Sequence, residues 1–230
     1  MIQLTEIKSL LLTRSAQPNR PAHLSAASGL VQIGPWLYVV ADDELHLGKF
    51  SLEGDNPGDL YRCFAGELPI EAEERKAEKP DVEVLTLISQ PKNQSRQALL
   101  ALGSGSKKNR HRSAIISLDS HGNISGPAEI IDLSPFYEFL KGEIGKLNIE
   151  GAAIVQNDIF LFQRGNKKNK LNASIRIGLE DFYRVLSQPR EYYEPRIQIT
   201  PYDLGEIDEV PLCFTDATSL PSGEIVFTAS

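Results

Sequence analysis

At 230 residues, with 41% hydrophobic content and a formal net charge of −7, the chain is long enough to bury a sizeable core, and its acidic balance weighs against nucleic-acid binding by the surface as a whole. No apolar run approaches the ~18–20 residues needed to cross a bilayer, and the N-terminus lacks a basic start followed by an apolar block, so a cytoplasmic protein with no membrane partner is expected. Cys63 and Cys213 are too few for a disulfide framework and stand outside metal-ligand spacing, which favours buried free thiols.

In chain order, residues 1–13 supply a candidate extended segment. Residues 30–33 form a strand that passes through the turn dipeptide Gly34-Pro35 into residues 36–40, WLYVV, a continuous apolar run of the type buried on both faces. Further strands are expected at 45–47 and 60–64. The run EAEERKAEK at 71–79, followed by Pro80, reads as a solvated loop or a short exposed helix. A second set of strands has an inner strand starting at Glu83, an apolar stretch at 99–102, and strands at 114–118 and 128–132. Ser134-Pro135 is an N-cap with Pro at the first helical position, and Phe136, Phe139, Leu140 and Ile144 then share a face. A third set starts near Glu150, turns at Asn157-Asp158 and continues through 159–162, 174–177 and 197–200, with a short helical turn at 179–186. A last hairpin begins at Thr215 and turns at Pro221-Ser222-Gly223.

These sets are copies of one another. Gly105-Ser106-Lys107-Lys108-Asn109-Arg110 lies over Gly165-Asn166-Lys167-Lys168-Asn169-Lys170 without gaps, 60 residues away, and the flanking strands agree. A repeat of this length built from hairpins predicts an all-β fold, a β-propeller of four-stranded antiparallel blades with short helical insertions. One domain is expected over 1–230, with about four blades starting near residues 28, 83, 150 and 215. The fourth blade stops after its second strand. Residues 1–13 are a candidate ring-closing strand, and an incomplete last blade, or a chain that is a piece of a longer propeller, would leave an exposed edge strand that favours an oligomer.

In an up-and-down blade, the start of the innermost strand and the end of the second strand lie at one face of the ring. Ser28, Glu83, Glu150 and Thr215-Asp216 then stand beside the central channel, and Asp42, Ser104 and Arg164 end second strands on the same face. Glu83 and Glu150 are the candidate catalytic pair, because neighbouring carboxylates push their pKa values apart. Glu83, Glu150 and Asp216 are the candidate metal ligands, an oxygen-rich set suited to Ca or Mg. Arg164, Asp42, Ser104, Asn166, Lys107 and Lys167 are the candidate ligand-binding residues, directed at a small anionic molecule. The structural alternative is that the glutamates satisfy buried backbone N–H groups and Arg164 pairs with a carboxylate. Lys107, Lys108, Arg110, His111 and Arg112, with Lys167, Lys168 and Lys170, put positive charge on the rim of this face, suited to an anion or a protein partner, although lysines at hairpin tips also serve solubility. No aromatic residues are interleaved, which weakens a nucleic-acid reading further. There is no Gly-x-Ser-x-Gly elbow, phosphate loop or zinc helix motif.

Asp81-Val82-Glu83, Asn148-Ile149-Glu150-Gly151-Ala152-Ala153 and Phe160-Leu161-Phe162-Gln163-Arg164-Gly165-Asn166 resemble the inner-strand motif, Glu-Gly followed by two small residues, of bacterial β-propellers related to esterase-like phytases. Most of the chain, from about residue 28 to residue 230, is similar to a bacterial β-propeller family of unknown function. The resemblance implies the propeller fold, with Glu83 and Glu150 as family-like acidic positions and Arg164 as a family-like basic one. It implies no reaction. Two functions remain open: metal-assisted hydrolysis of a phosphate ester, carboxylic ester or lactone at the channel, and noncatalytic binding of a protein or other anionic partner by the lysine-rich face.

Overall fold

The computed structural model describes residues 5–18, 20–165 and 171–230. Three four-stranded antiparallel sheets dominate it. The first is β1 (Ala27–Ile33), β2 (Trp36–Ala41), β3 (His46–Ser51) and β4 (Asp59–Arg62). After the helix α1 (Ala72–Glu78), which buries no side chain, the second comprises β5 (Val82–Gln90), β6 (Asn93–Gly103), β7 (Arg112–Ser117) and β8 (Glu129–Asp132). The helix α2 (Ser134–Ile144) leads to the third, β9 (Ile149–Val155), β10 (Asp158–Gln163), β11 (Asn172–Gly178) and β12 (Ile197–Tyr202), with α3 (Leu179–Ser187) between its last two strands. A small hairpin, β13 (Glu206–Ile207) and β14 (Val210–Pro211), precedes the two-stranded sheet of β15 (Phe214–Ser219) and β16 (Ile225–Ala229). Within each large sheet the strands pair in chain order.

The apolar core explains the double-faced second strands. Side chains alternate across a strand, so Leu99 and Ala101 of β6 pack with Tyr38 and Val40 of the first sheet, while Leu100 and Leu102 pack with Ala152 and Leu161 of the third. Each sheet therefore lies face to face with the next. α2 and α3 extend the interface between the second and third sheets through Phe136, Leu140, Phe182 and Val185. Phe162 and Phe214, with ring centroids 5.1 Å apart, join the third sheet to β15. β1, β5, β9 and β15 run beside one another in that order, and β15 also approaches β1. The arrangement is propeller-like.

Several local expectations need correction. Residues 1–4 of the expected ring-closing strand lie outside the described residues, and Leu11 and Leu12 bridge to His23 and Gly58 along the first sheet. Leu12 is drawn there by Leu24, Leu37, Val39 and Phe50, which form an apolar cluster on that sheet's outer face. One expectation holds: the last sheet, β15–β16, has two strands among the described residues, and Val226 and Phe227 stay 48% and 42% exposed. The third hairpin turns at Gln156-Asn157, with Gln156 at φ 54°, because Asp158 already pairs with Val155. Leu133, rather than Ser134, is the N-cap of α2, without a side-chain cap bond, and Ser134 is its first helical residue, its N–H donating to Asp132 Oδ1 at 2.9 Å. Cys63 is buried and Cys213 only half-buried, and both are free.

Glycine allows the inner strands to come close. A methyl group at Gly151 would sit 2.6 Å from the backbone nitrogen of Ala217, and one at Gly29 would sit 2.7 Å from that of Leu85. Backbone cannot yield as a side chain can, so Gly151→Ala should destabilise the protein by about 1–3 kcal/mol in urea unfolding. Gly142→Ala, in α2 with open space around it, is the control and should gain about 1 kcal/mol.

Candidate functional site

Each inner strand contains one residue too many near its start. β1 pairs Ala27 with Ala41 and then Gly29 with Val40, leaving Ser28 unmatched. In the same way Glu83 is extra between Val82 and Val84, Glu150 between Ile149 and Gly151, and Thr215 between Phe214 and Asp216. A β-bulge of this kind bends the strand and re-aims the extra side chain. The four bulges therefore lie at equivalent places, and these are the positions the repeat singles out.

Backbone bonds tie the ends of the second strands to the same places. The N–H groups of Asp42, Ser104, Arg164 and Ser230 donate to the carbonyls of Ala26, Asp81, Asn148 and Cys213 at 2.9–3.1 Å. Successive sheets are then stitched together: the Asp81 N–H donates to the Asp42 carbonyl at 3.1 Å, and the Ile149 N–H to the Ser104 carbonyl at 2.9 Å. Asp81 makes both bonds from φ 54°, a conformation that Asp tolerates better than most residues.

The result is an open cleft of about 370 Å³ lined by Ser28, Asp42, Glu83, Glu150, Arg164 and Asp216, with Ala26, Ala27, Thr215 and Thr228. Five expected site residues, Asp42, Glu83, Glu150, Arg164 and Asp216, thus meet at one mouth. Ser104 does not join them: it is fully buried, with its Oγ donating to Asp81 Oδ2 at 2.6 Å. Lys107 is exposed and outside the cleft lining. Asn166, Lys167, Lys168 and Lys170 lie outside the described residues. The basic rim is smaller than expected, since Arg110 turns inward to Asp81 at 2.7 Å. His111 is buried against the edge of Tyr137, and Arg112 lies over the Phe64 ring.

Most charges at the mouth are paired. The Lys79 ammonium bonds Asp42 and also Asp81 Oδ1, the latter at 2.8 Å. Asp81 further accepts from Arg110, and Glu150 accepts from Asn148 and from Arg164 at 3.1 Å. Ser28 donates to the Val82 carbonyl at 2.6 Å. Glu83 has no hydrogen-bond or ion-pair partner among the described residues. Burial, then the nearby Glu150, Asp81 and Asp42 charges, push its pKa up to about 8. Burial also lifts Asp216 to about 6 against the pull of the Ala217 N–H, and raises Glu150 despite Arg164. For Lys79, burial opposes the charge, yet its bonds to Asp42 and Asp81 outweigh it and raise the pKa.

Among the described residues, the three carboxylates whose oxygens lie within 4.8 Å of one another are Asp42, Asp81 and Glu83. This differs from the expected set of Glu83, Glu150 and Asp216. Glu150 is held by Arg164 and Asn148, and Asp216, one place past its bulge, accepts the N–H of Ala217 at 2.7 Å. Asp81 and Lys79 are the site residues that sequence reasoning missed. The Asp81-Val82-Glu83 stretch was visible, but the partnership of Lys79 with Asp42 spans 37 positions and leaves no local signal.

No helix among the described residues is long and apolar enough to cross a membrane. No curated protein matches the chain. Among solved structures it is similar to apo AztD from Citrobacter koseri, with 9% identity and a TM-score of 0.32 over 90% of this chain, and it spans 44% of the length of that protein. Residues 23–230 match the family described as "Family of unknown function (DUF6929)", and the chain belongs to that family.

Proposed function

We propose that the chain is a propeller-like binding protein whose channel mouth takes a cation. The observation that carries this reading is Glu83, a half-buried carboxyl without a hydrogen-bond or ion-pair partner among the described residues, facing a cleft shared with Glu150 and Asp216. Asp42 and Asp81 are balanced by Lys79 and Arg110, and Glu150 by Arg164, so the carboxyls left for a cation are Asp216, ionised at neutral pH, and Glu83, which would release its proton to solvent as the cation binds. Burial is the main cause of the raised carboxyl pKa values, and at Glu83 the neighbouring Glu150, Asp81 and Asp42 charges add to it, a local negative potential that favours a cation over the expected small anion. An anion at Arg164 would also have to displace Glu150.

Among cations, an organic ammonium suits the mouth better than Ca or Mg. Those ions need several oxygens converging at 2.0–2.6 Å. The one convergent trio among the described residues already has the Lys79 ammonium bonded to two of its members. Thermal unfolding in methylammonium, Ca²⁺ or Mg²⁺ chloride, against NaCl at matched ionic strength, tests the reading. Methylammonium should raise Tm in the wild type and not in Glu83→Gln. No rise with any of these cations would overturn it.

A second reading keeps the expected ester hydrolysis, because Glu83 at about 8 and Asp216 at about 6 offer a proton donor and a proton acceptor in one cleft. Screening carboxylic, phosphate and lactone esters tests it. Turnover should be present in the wild type and reduced in Glu83→Gln, and an inactive wild type removes the reading.

A further inference from the structure

Behind the mouth lies a second cavity, of about 900 Å³, between β1, β5, β9 and the β15–β16 hairpin. Asp216 and Thr228 line both spaces, so the cleft and the cavity meet there. The combined volume lies at or above the upper end of the ordinary range for a small-molecule site, about 300–1,000 Å³.

The two spaces differ in chemistry. The deeper walls include Leu30, Leu87, Ile154, Val226 and Phe227, with uncharged polar groups such as Gln32 and Thr218 between them. Asp216, at the junction, is the one charged residue of that lining. Leu30 of the inner strand β1, and Val226 and Phe227 of β16, are 48%, 48% and 42% exposed, a wet apolar surface on the walls of this space. Charge is thus confined to one end of a long space whose remainder is uncharged.

We propose that the ligand is an amphipathic organic cation, with its charged head at Glu83 and Asp216 and its apolar tail along the channel beyond Asp216. This inference rests on the cation reading of the mouth and adds the class of molecule. The head would exchange water for two carboxyl groups that lack a compensating cation among the described residues. The tail would cover Leu30, Val226 and Phe227, and its contribution should scale with the apolar area removed from water.

A homologous series of methyl-, propyl-, hexyl- and octylammonium, titrated calorimetrically into the full chain, tests the proposal. The expected result is a Kd that falls about fourfold per methylene until the tail fills the cavity. Asp216→Asn and Glu83→Gln should weaken all members of the series by a similar factor. Phe227→Ser should flatten the dependence on tail length. Because Phe227 also packs on Phe214, Leu30→Ser at the opposite wall serves as an independent variant and should flatten it too. If methylammonium and octylammonium bind equally well, the channel inference is overturned while the cation site stands. If n-alkyl carboxylates gain affinity with length and the ammonium series does not, the head group has been assigned the wrong sign and both readings fall. Absence of binding throughout also removes both.

Discussion

Replacing Glu83 by Gln should make the protein more stable at neutral and alkaline pH, by about 3 kcal/mol at pH 7 and more at pH 9. In the unfolded chain a glutamate ionises near 4.5, whereas in the folded state Glu83 keeps its proton up to about 8. Between those values the native state binds the extra proton, so stability falls as pH rises through that window. One pKa unit corresponds to about 1.4 kcal/mol, and the difference at pH 7 is about two and a half units. Gln has no charge to lose, so its advantage should vanish below pH 4.5. Asp216, lifted to about 6, acts in the same direction over a narrower range. The other charges facing Glu83 are Glu150, Asp81, Asp42 and Lys79, and the variant leaves them in place. Urea unfolding at pH 4, 7 and 9 measures the effect. Equal wild-type and variant stability at all three would show that Glu83 is solvated as an ordinary surface carboxyl. The same substitution is predicted to abolish the cation response, so stability and binding should move in opposite directions at one residue, a common relation at functional sites.

Lys79→Met should lower stability by about 3 kcal/mol at pH 7. Removing one member of a buried pair leaves the other charge without compensation, a cost of about 3–5 kcal/mol. The side chains concerned are 13%, 26% and 5% exposed for Lys79, Asp42 and Asp81. Asp81 keeps Arg110 and Ser104, so the loss falls mainly on Asp42. The double variant Lys79→Met/Asp42→Asn should recover most of the deficit, and the non-additivity identifies the pair as its source. If the two changes simply add, Lys79 matters through packing of its stem instead.

The architecture was legible because its signals are local. Gly34-Pro35 and the WLYVV run announce a hairpin with a strand covered on both faces, and the 60-residue copy of the Lys-Lys-Asn loop gives the period. The inner-strand starts read from the sequence, 28, 83, 150 and 215, coincide with the four bulged residues. The bulges themselves were not legible, since an unmatched residue is defined only against the partner strand. The β13–β14 hairpin escaped notice because Asp208 and Glu209 adopt positive φ without a glycine to mark it. Around the mouth, residue type and strand position predicted which side chains share a face. They did not predict which would already be bonded: Ser104 and Arg110 went to Asp81, and His111 went to Ser134 and Tyr137. Those choices depend on elements tens of residues away.

The bulges carry an implication for how ligand preference can change over time. A residue that is extra to the ladder can be exchanged without shifting the register of either strand, so Ser28, Glu83, Glu150 and Thr215 are separated from the requirements of the sheets in a way that Gly29 and Gly151 are not. Under the proposed cation-binding function, four such sites at one rim form a small alphabet in which selectivity could be rewritten one substitution at a time. Adding a carboxylate at Ser28 or removing one at Glu150 would then change the charge offered to the proposed ligand, while the register of the propeller-like frame is inherited unchanged.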